Sequence, residues 1–262
     1  MRVNKQWLAI LVLMAAIPLS GCGFITKLRA RDALNKGVKA FVDQKYDDAA
    51  KLFEESVRLD PTFVIAKSYL ASTYASQFVP GSPDAKSAEM AQKAIATFQN
   101  IVETDTANKN ISSMLSIASL YYQLQDYDKS KEWCNKIQAA DPNNAEALYR
   151  VAVIDYDDSV KKTGLQGENV EFLTADEKDH ALKGIDEGLN VIDQALKIRA
   201  DYFDAMEYQN LLWREKAKFE KDKLAKADLI RKADLVAMQA LQMRLKAQEE
   251  EAKKPKKLAP GK

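Results

Sequence analysis

The sequence predicts an all-α protein built from repeated pairs of helices, and three observations support this. In residues 37–61, apolar residues recur at spacings of three and four, which is the pattern of amphipathic helices. Residues 118–142 repeat the same order of small, aromatic and apolar residues and end in a proline at the same offset. The 262 residues include only nine glycines and seven prolines, which favours helices over many short strands.

The overall composition argues against several kinds of protein. The 39 basic residues nearly balance the 38 acidic ones, so we expect no nucleic-acid partner, which would require a basic face. Two cysteines, Cys22 and Cys134, cannot form a disulfide framework, and the single histidine, His180, leaves little material for a metal site. The sequence shows no phosphate-binding glycine motif and no nucleophile with a nearby base. We therefore expect no enzyme activity, no catalytic or metal-binding residues, no cofactor and no small-molecule substrate.

The N-terminus carries an apolar run that is too short to cross a membrane. Trp7 to Ile17 is uncharged and follows Arg2 and Lys5, whereas a membrane-spanning helix needs about 20 apolar residues. This arrangement predicts that residues 1–21 are a cleaved signal peptide. Removal of Arg2 and Lys5 changes the formal net charge from +1 to −1. The net charge of the mature chain therefore gives no reason to expect binding to lipid headgroups.

The apolar run ends in Leu19-Ser20-Gly21-Cys22, which resembles a bacterial lipobox. The resemblance implies that the Cys22 thiol takes a diacylglycerol, that the chain is cut before it, and that its new amine is acylated, with palmitate as the expected chain. The alternative is an ordinary secretory signal with a chance cysteine. Gly23, not Asp, follows the cysteine, and the sorting rule of enteric bacteria then implies the periplasmic face of the outer membrane.

The offsets shared by residues 37–61 and 118–142 resemble the tetratricopeptide repeat (TPR), a 34-residue helix–turn–helix. The resemblance implies a superhelical solenoid of about five repeats over residues 30–246, joined to the lipid site by a linker at 22–29. Positions 8 and 20 of each repeat should be small, because two antiparallel helices approach closely there. Position 8 holds Gly37, Ala71, Ala118, Ala152 and Asn210, position 20 holds Ala49, Ala94, Ser130, Gly188 and Ala233, and position 24 holds Phe53, Phe98, Cys134, Ile192 and Ala237.

The last two repeats depart from the TPR pattern. Asp155 stands at position 11, where the second and third repeats have tyrosine, and Asn210 and Ala200 replace a small residue and a proline. We therefore expect three regular repeats followed by two degenerate ones. Cys134 at position 24 is interpreted as a core residue, and His180 as a solvent-facing one.

Three of the repeats carry insertions between their two helices. Repeats 2, 4 and 5 have 11, 24 and 11 extra residues between positions 11 and 20, which predicts that the insertions cluster on one edge of the solenoid. Residues 78–83 should form a loop in which Ser82 caps the next helix and Pro83 begins it. The repeat 4 insertion should be a loop that enters a helix near Thr174. The repeat 5 insertion lacks glycine and proline, which predicts longer helices instead of a loop.

The TPR resemblance implies a groove lined by positions 5, 9 and 12, in which a partner would bind. The tyrosines at these positions either form a stripe in the groove or pack against their own insertions. The lysine and asparagine set with which chaperone-binding relatives clamp a peptide carboxylate is missing. The candidate groove residues are Phe41, Tyr122, Tyr149, Tyr156 and Arg214.

The sequence therefore predicts a bacterial envelope lipoprotein that acts as a non-catalytic scaffold for a protein or peptide partner. It resembles TPR lipoproteins that assist outer-membrane, pilus or secretion-complex assembly. The alternative is an envelope enzyme or small-ligand-binding protein that uses the insertion-bearing edge. Residues 247–262 are charged and contain two prolines, which predicts a disordered tail.

Overall fold

The structure is a computed structural model that describes the backbone over residues 5–105 and 110–253, with side chains from Gly23 onward except at residue 251. The described chain consists of helices joined by short connections, as the apolar spacing predicts. The first five helices are α1 (Lys5–Val42), α2 (Tyr46–Leu59), α3 (Val64–Gln77), α4 (Ala85–Thr104) and α5 (Ile111–Gln123). The others are α6 (Tyr127–Ala140), α7 (Ala145–Thr163), α8 (Ala175–Ile198), α9 (Phe203–Phe219) and α10 (Lys223–Lys253), with a 3₁₀ turn at Val170–Phe172.

The chain divides into two compact units, Met1–Leu124 and Gln125–Lys262, which we call unit 1 and unit 2. Unit 1 contains α1 to α5, in which α1 packs on α2 and α3 on α4. Unit 2 contains α6 to α10, in which α7 packs on α8 and α9 on α10. These pairs are the helical hairpins that the repeated sequence pattern predicts.

In unit 1, small residues permit the close approach of paired helices. A Cβ atom on Gly37 of α1 would lie 2.6 Å from Cε1 of Phe53, the fully buried ring of α2. The Ser56 hydroxyl of α2 donates a 2.7 Å hydrogen bond to the Ala30 carbonyl of α1, which links the same two helices. Ala71 of α3 and Ala94 of α4 are also fully buried.

In unit 2, the core lies between α7, α8 and α9. It contains Ala152, Leu189 and Leu212. A Cβ atom added to Gly188 would lie 3.0 Å from the Leu212 side chain. Two tryptophans belong to this unit: Trp133 of α6 is buried, and Trp213 of α9 is half-buried. Cys134 has no exposed surface, and burial raises the pKa of its thiol to about 11. Its prediction as a core residue is confirmed.

The connection between α3 and α4 corrects one sequence-based prediction. The N-cap of α4 is Asp84, whose Oδ1 accepts a 2.9 Å hydrogen bond from the Lys86 amide, and not Ser82. The Ser82 hydroxyl instead accepts a 3.2 Å hydrogen bond from the amide of Asp84. Pro83 therefore lies before the helix, because the carboxylate is the side chain within reach of the first free amides.

The insertions of repeats 4 and 5 have the predicted form. Residues 164–174 make the loop between α7 and α8, and Thr174 begins α8 with a capping box formed with Glu177. The repeat 5 insertion lengthens its helices, giving α10 its 31 residues, with a short break between Phe219 and Lys223. His180 is exposed, as predicted.

The two ends of the described chain are more helical than the sequence suggests. Residues 22–29 continue α1 instead of forming a separate linker, and residues 247–253 continue α10, so the predicted tail does not begin at 247. Residues 254–262 and the side chain of Cys22 lie outside the described residues. Among the helices that the structure describes, none combines the length and the apolar character needed to cross a membrane.

Candidate functional site

Unit 1 has an apolar pocket between α1 and α3, with a volume of about 370 Å³. Phe41 comes from α1, and the remaining residues come from α3. Ile65 is 57% exposed and Val64 is 41% exposed, so two large apolar side chains are open to solvent at its rim. We call this site the unit 1 pocket, and its lining residues are Phe41, Val64, Ile65, Ser68, Tyr69 and Ser72.

The aromatic wall of the unit 1 pocket is held by the core. The Phe41 ring meets Tyr46 and Tyr69 edge to face, with centroids 5.5 Å and 6.4 Å away. Tyr69 in turn stacks on the buried Phe53 ring at 5.3 Å. Because Phe53 fits against Gly37, the close helix contact of unit 1 also sets the position of the pocket wall.

The unit 1 pocket is lined by apolar side chains and two serines, with no charged side chain. The Ser68 hydroxyl donates a 3.0 Å hydrogen bond to the Val64 carbonyl, which leaves its oxygen able to accept from a ligand. Apolar walls with a few placed polar groups are the usual composition of a binding pocket. The arrangement can hold an apolar side chain and accept a hydrogen bond from the backbone that carries it.

The sequence identified only Phe41 among these residues. With Ala71 at position 8, Ser68 and Ser72 occupy positions 5 and 9, which the TPR resemblance already assigns to the groove. The repeat phase could therefore have found both serines. Ile65 and Tyr69 lie outside those positions, and their place in the pocket depends on the side-chain packing between α1 and α3.

Unit 2 brings two of the predicted tyrosines together in a cluster of four, which we call the tyrosine cluster: Tyr149, Tyr156, Tyr202 and Tyr208. Tyr149 and Tyr156 of α7 both meet Tyr208 of α9 nearly at right angles, with centroids 5.4 Å and 5.7 Å away. Tyr202 packs on Tyr149 at 5.1 Å. Two of the three predicted groove tyrosines, Tyr149 and Tyr156, therefore pack against α9.

Burial keeps the hydroxyls of the tyrosine cluster protonated. Desolvation raises the pKa of Tyr149, and neighbouring tyrosines and Asp204 raise it further. Desolvation also raises the pKa of Tyr208, to which Asp157 adds. The Arg199 guanidinium lies 3.2 Å from the centre of the Tyr202 ring, so one face of the cluster already carries a cation.

The remaining predicted groove residues are not part of either site. Arg214 donates from Nε to Asn210 at 2.8 Å and pairs with Asp234, so it joins α9 to α10. Tyr122 is a half-buried residue of α5 in unit 1, where it makes contacts of its own. The five predicted residues are thus divided between the two units: Phe41 and Tyr122 lie in unit 1, and Tyr149, Tyr156 and Arg214 lie in unit 2.

A buried ionic cluster occupies the position where the sequence departs from the TPR pattern. Asp155 of α7 is 4% exposed and pairs with Lys131 of α6, which also bonds to Glu187 at 3.0 Å. Burial raises the pKa of Asp155 to about 7, while Lys131 opposes the rise. Oδ2 of Asp155 is buried without a hydrogen-bond partner. Gly184 and Gly188 of α8 make room for this carboxylate.

A second buried carboxylate attaches the repeat 4 insertion. Glu215 of α9 is 1% exposed and accepts hydrogen bonds from the hydroxyls of Ser159 and Thr163. It also pairs with Lys218, which donates a 2.7 Å hydrogen bond to the Gly164 carbonyl at the start of the insertion. These partners belong to α7 and α9, so the cluster links the two helices. In the part of the chain that the structure describes, no group of three His, Cys, Asp or Glu side chains could hold a metal ion.

Comparison with known proteins adds to this geometry. Residues 111–144 match the family model of the tetratricopeptide repeat. The fold is that of TPR proteins. A crystal structure of MamA protein superposes with a TM-score of 0.57 at 16% identity, covering 88% of this chain and 98% of that one. A second crystal structure of MamA gives 0.56 at 15% identity, covering 81% and 96%. The prediction of an all-α TPR-type solenoid is thereby confirmed.

A third relative is MamA, residues 41 to the end, from Desulfovibrio magneticus RS-1. It has a TM-score of 0.54 at 11% identity and covers 80% of this chain and 96% of that one. Identities this low indicate a shared fold and carry no information about the partner. Comparison with curated protein sequences finds no match.

Proposed function

We propose that the protein is a non-catalytic scaffold whose unit 1 pocket binds an apolar segment of a protein or peptide partner. The observation that carries the proposal is the pair of exposed side chains, Val64 and Ile65, at the rim of a pocket whose aromatic wall is fixed by the core. TPR proteins use such helix faces as interaction surfaces. The wall around Phe41 is preorganised, so binding would cost little conformational entropy there.

We also propose that the scaffold is a lipid-anchored protein of the bacterial envelope, on the periplasmic face of the outer membrane. The support for this part is the sequence Leu19-Ser20-Gly21-Cys22 after a short apolar run. An anchored scaffold would meet membrane-embedded or periplasmic partners, such as those of outer-membrane, pilus or secretion-complex assembly.

The alternative function uses the insertion-bearing edge of unit 1. A cleft of about 610 Å³ lies beside the loop that joins α3 to α4, and Val79 of that loop lines it together with Gln44, Asp47 and Lys86. We call it the insertion cleft. Its polar lining favours a small polar ligand over an apolar peptide.

Two single substitutions separate these functions. Ile65→Asp places a charge in the unit 1 pocket, whereas Val79→Asp places the same charge on the insertion cleft, and both side chains are more than half exposed. A photo-crosslinking residue at Ser72 identifies the partner, and its capture is then compared between the two variants. We expect Ile65→Asp to reduce capture about tenfold or more, as for a central contact residue. Capture that Ile65→Asp leaves unchanged would contradict the proposal, whether or not Val79→Asp lowers it.

The lipid anchor has its own test. Globomycin, which inhibits the lipoprotein signal peptidase, should cause the unprocessed chain to accumulate. The Cys22→Ala chain should keep residues 1–21 and incorporate no labelled fatty acid. A Cys22→Ala chain that is cut after Gly21 and stays bound to membranes would show that the cysteine is not the anchor.

A further inference from the structure

Three large apolar side chains of α1 are exposed just after Gly23, where the described side chains begin. Phe24 is 67% exposed, Ile25 is 58% exposed and Leu28 is 46% exposed. At about 100° per residue, the three side chains fall within one arc of about 100° on the helix. They therefore form a continuous apolar stripe, which we call the N-terminal stripe.

The N-terminal stripe lies on the side of α1 that faces away from the core. Ala30, Ala33 and Gly37 are buried, and the helical spacing places them on the opposite side from the stripe. The Ala30 carbonyl accepts a hydrogen bond from Ser56, and Gly37 meets Phe53, so this opposite side is the one that packs on α2. The packing of α1 on α2 therefore leaves the stripe pointing outward.

Basic residues flank the stripe on both sides. Lys27 and Arg31 lie along one border and Arg29 along the other, and no acidic residue occurs between Gly23 and Arg31. All three basic residues are exposed, and within the described residues none of them forms an ion pair. Asp60 lies near enough to two of them for their charges to act on it: hydrogen bonding by Thr62 lowers the pKa of Asp60, and Lys27 and Arg31 lower it further.

The stripe ends where the same side of the helix becomes polar. Asp32 is the first acidic residue after it, and its carboxylate pairs with Lys36 at 2.7 Å. Asn35 and Lys39 continue this side of α1, and both are exposed. The N-terminal stripe therefore covers residues 24–28, which rise about 6 Å along the helix axis, and this polar stretch follows it.

We propose that the N-terminal stripe is a membrane-docking surface that lies in the lipid headgroup region next to the acylated Cys22. This inference rests on the proposed lipid anchor. Phe24 is two residues after Cys22, about 3 Å along a helix, so an anchored chain has no length in which to leave the interface before the stripe. Interfacial helices bury an apolar face about 5–10 Å into the boundary between headgroups and acyl chains, and flanking lysine and arginine side chains reach anionic phosphates.

The experiment places an environment-sensitive dye on the full lipidated chain in vesicles of phosphatidylethanolamine and phosphatidylglycerol. Leu28→Cys carries the dye on the stripe. Lys39→Cys is the matched control, because it lies on the same side of α1 about three turns later. Cys134 is buried and the Cys22 thiol is acylated under the proposal, so the dye reacts at the introduced cysteine.

We expect the dye at residue 28 to shift its emission to the blue and to be quenched by a spin label on the lipid, while the dye at residue 39 emits as in water. If the chain floats with the vesicles and both dyes emit as in water, the docking surface is wrong although the anchor stands, and a protein partner becomes the occupant to seek. If mass spectrometry finds no acyl chain on residue 22, the anchor itself is wrong.

The flanking charges are tested separately with Lys27→Gln, Arg29→Gln and Arg31→Gln combined in one chain. The dye at residue 28 should be less quenched in this variant when the vesicles contain phosphatidylglycerol. The variant and the parent should behave alike in phosphatidylcholine alone. Equal quenching in the anionic vesicles would contradict a role for the basic residues in docking.

Discussion

Lys131 of α6 forms an ion pair with the buried carboxylate of Asp155 on α7. Burial nevertheless raises the pKa of Asp155 from 3.8 to about 7, since desolvation outweighs the attraction of the lysine. Glu187 shares the same lysine, and its negative charge raises the pKa of Asp155 further. The free energy of unfolding should therefore depend on pH, and the sign of that dependence can be measured.

We expect Asp155 to make the protein less stable as the pH rises from about 4 to 7. In that range the folded Asp155 binds a proton that the unfolded chain has released, so deprotonation favours unfolding. Asp155→Asn should flatten this part of the dependence, with a change on the order of 2 kcal/mol in the free energy of unfolding. Urea denaturation at pH 5 and pH 8 measures it. Asp179→Asn, at a 63% exposed side chain paired with Lys183, is the control that should leave the dependence intact.

Gly37→Ala should destabilise unit 1. The added methyl group would lie 2.6 Å from a ring that has no exposed surface, so either Phe53 or the helices must move, at a cost of roughly 1–3 kcal/mol. Gly23→Ala is the control, because nothing lies within 4 Å of its Cβ position. Thermal unfolding followed by far-ultraviolet circular dichroism compares the two variants. Equal unfolding midpoints for the two variants would mean that α1 and α2 can move apart without loss of stability.

Glu215→Gln should loosen the attachment of the insertion between α7 and α8. The substitution removes the carboxylate that pairs with Lys218 at a 15% exposed position, which costs about 3 kcal/mol. Hydrogen exchange should become faster in residues 164–174, because Lys218 holds the Gly164 carbonyl. Replacing Glu215 and Lys218 together by methionine should recover part of the stability. If the double variant is less stable than Glu215→Gln, the ion pair contributes net stability to the fold and does more than neutralise two buried charges.

Asp84→Ala should cost about 1 kcal/mol of stability, because it removes the side chain that caps α4. Ser82→Ala removes only an acceptor for the Asp84 amide in an exposed loop, and we expect an effect below about 0.5 kcal/mol. Chemical denaturation of both variants ranks them. A larger loss for Ser82→Ala would restore the sequence-based prediction of the cap.

The repeat phase was predictable because it follows from steric contact. All five residues at position 20 are buried, including Ser130 and Gly188, since no larger side chain fits where two helices cross. The N-cap of α4 was not predictable in the same way, because Ser82, Pro83 and Asp84 all suit a helix start. The choice between them depends on where the loop turns.

Two other features of the structure, a local basic run and a buried ion pair, could not be predicted from the sequence patterns. The near-neutral total charge conceals the local run of Lys27, Arg29 and Arg31, because acids elsewhere in the chain cancel it in the sum. Asp155 was recognised as a departure from the TPR pattern, but its partner Lys131 belongs to the preceding repeat. Their pairing depends on the packing of α6 on α7, which no local pattern encodes.

The positions of the tryptophans give the two units different optical properties. Trp133 and Trp213 both belong to unit 2, and Trp7 lies in the segment that is predicted to be removed. Tryptophan emission of the mature chain would therefore report on unit 2 alone, while its helical circular dichroism reports on both units. Two melting curves recorded on one sample would show directly whether the half of the chain that carries the pocket unfolds with the other half or separately.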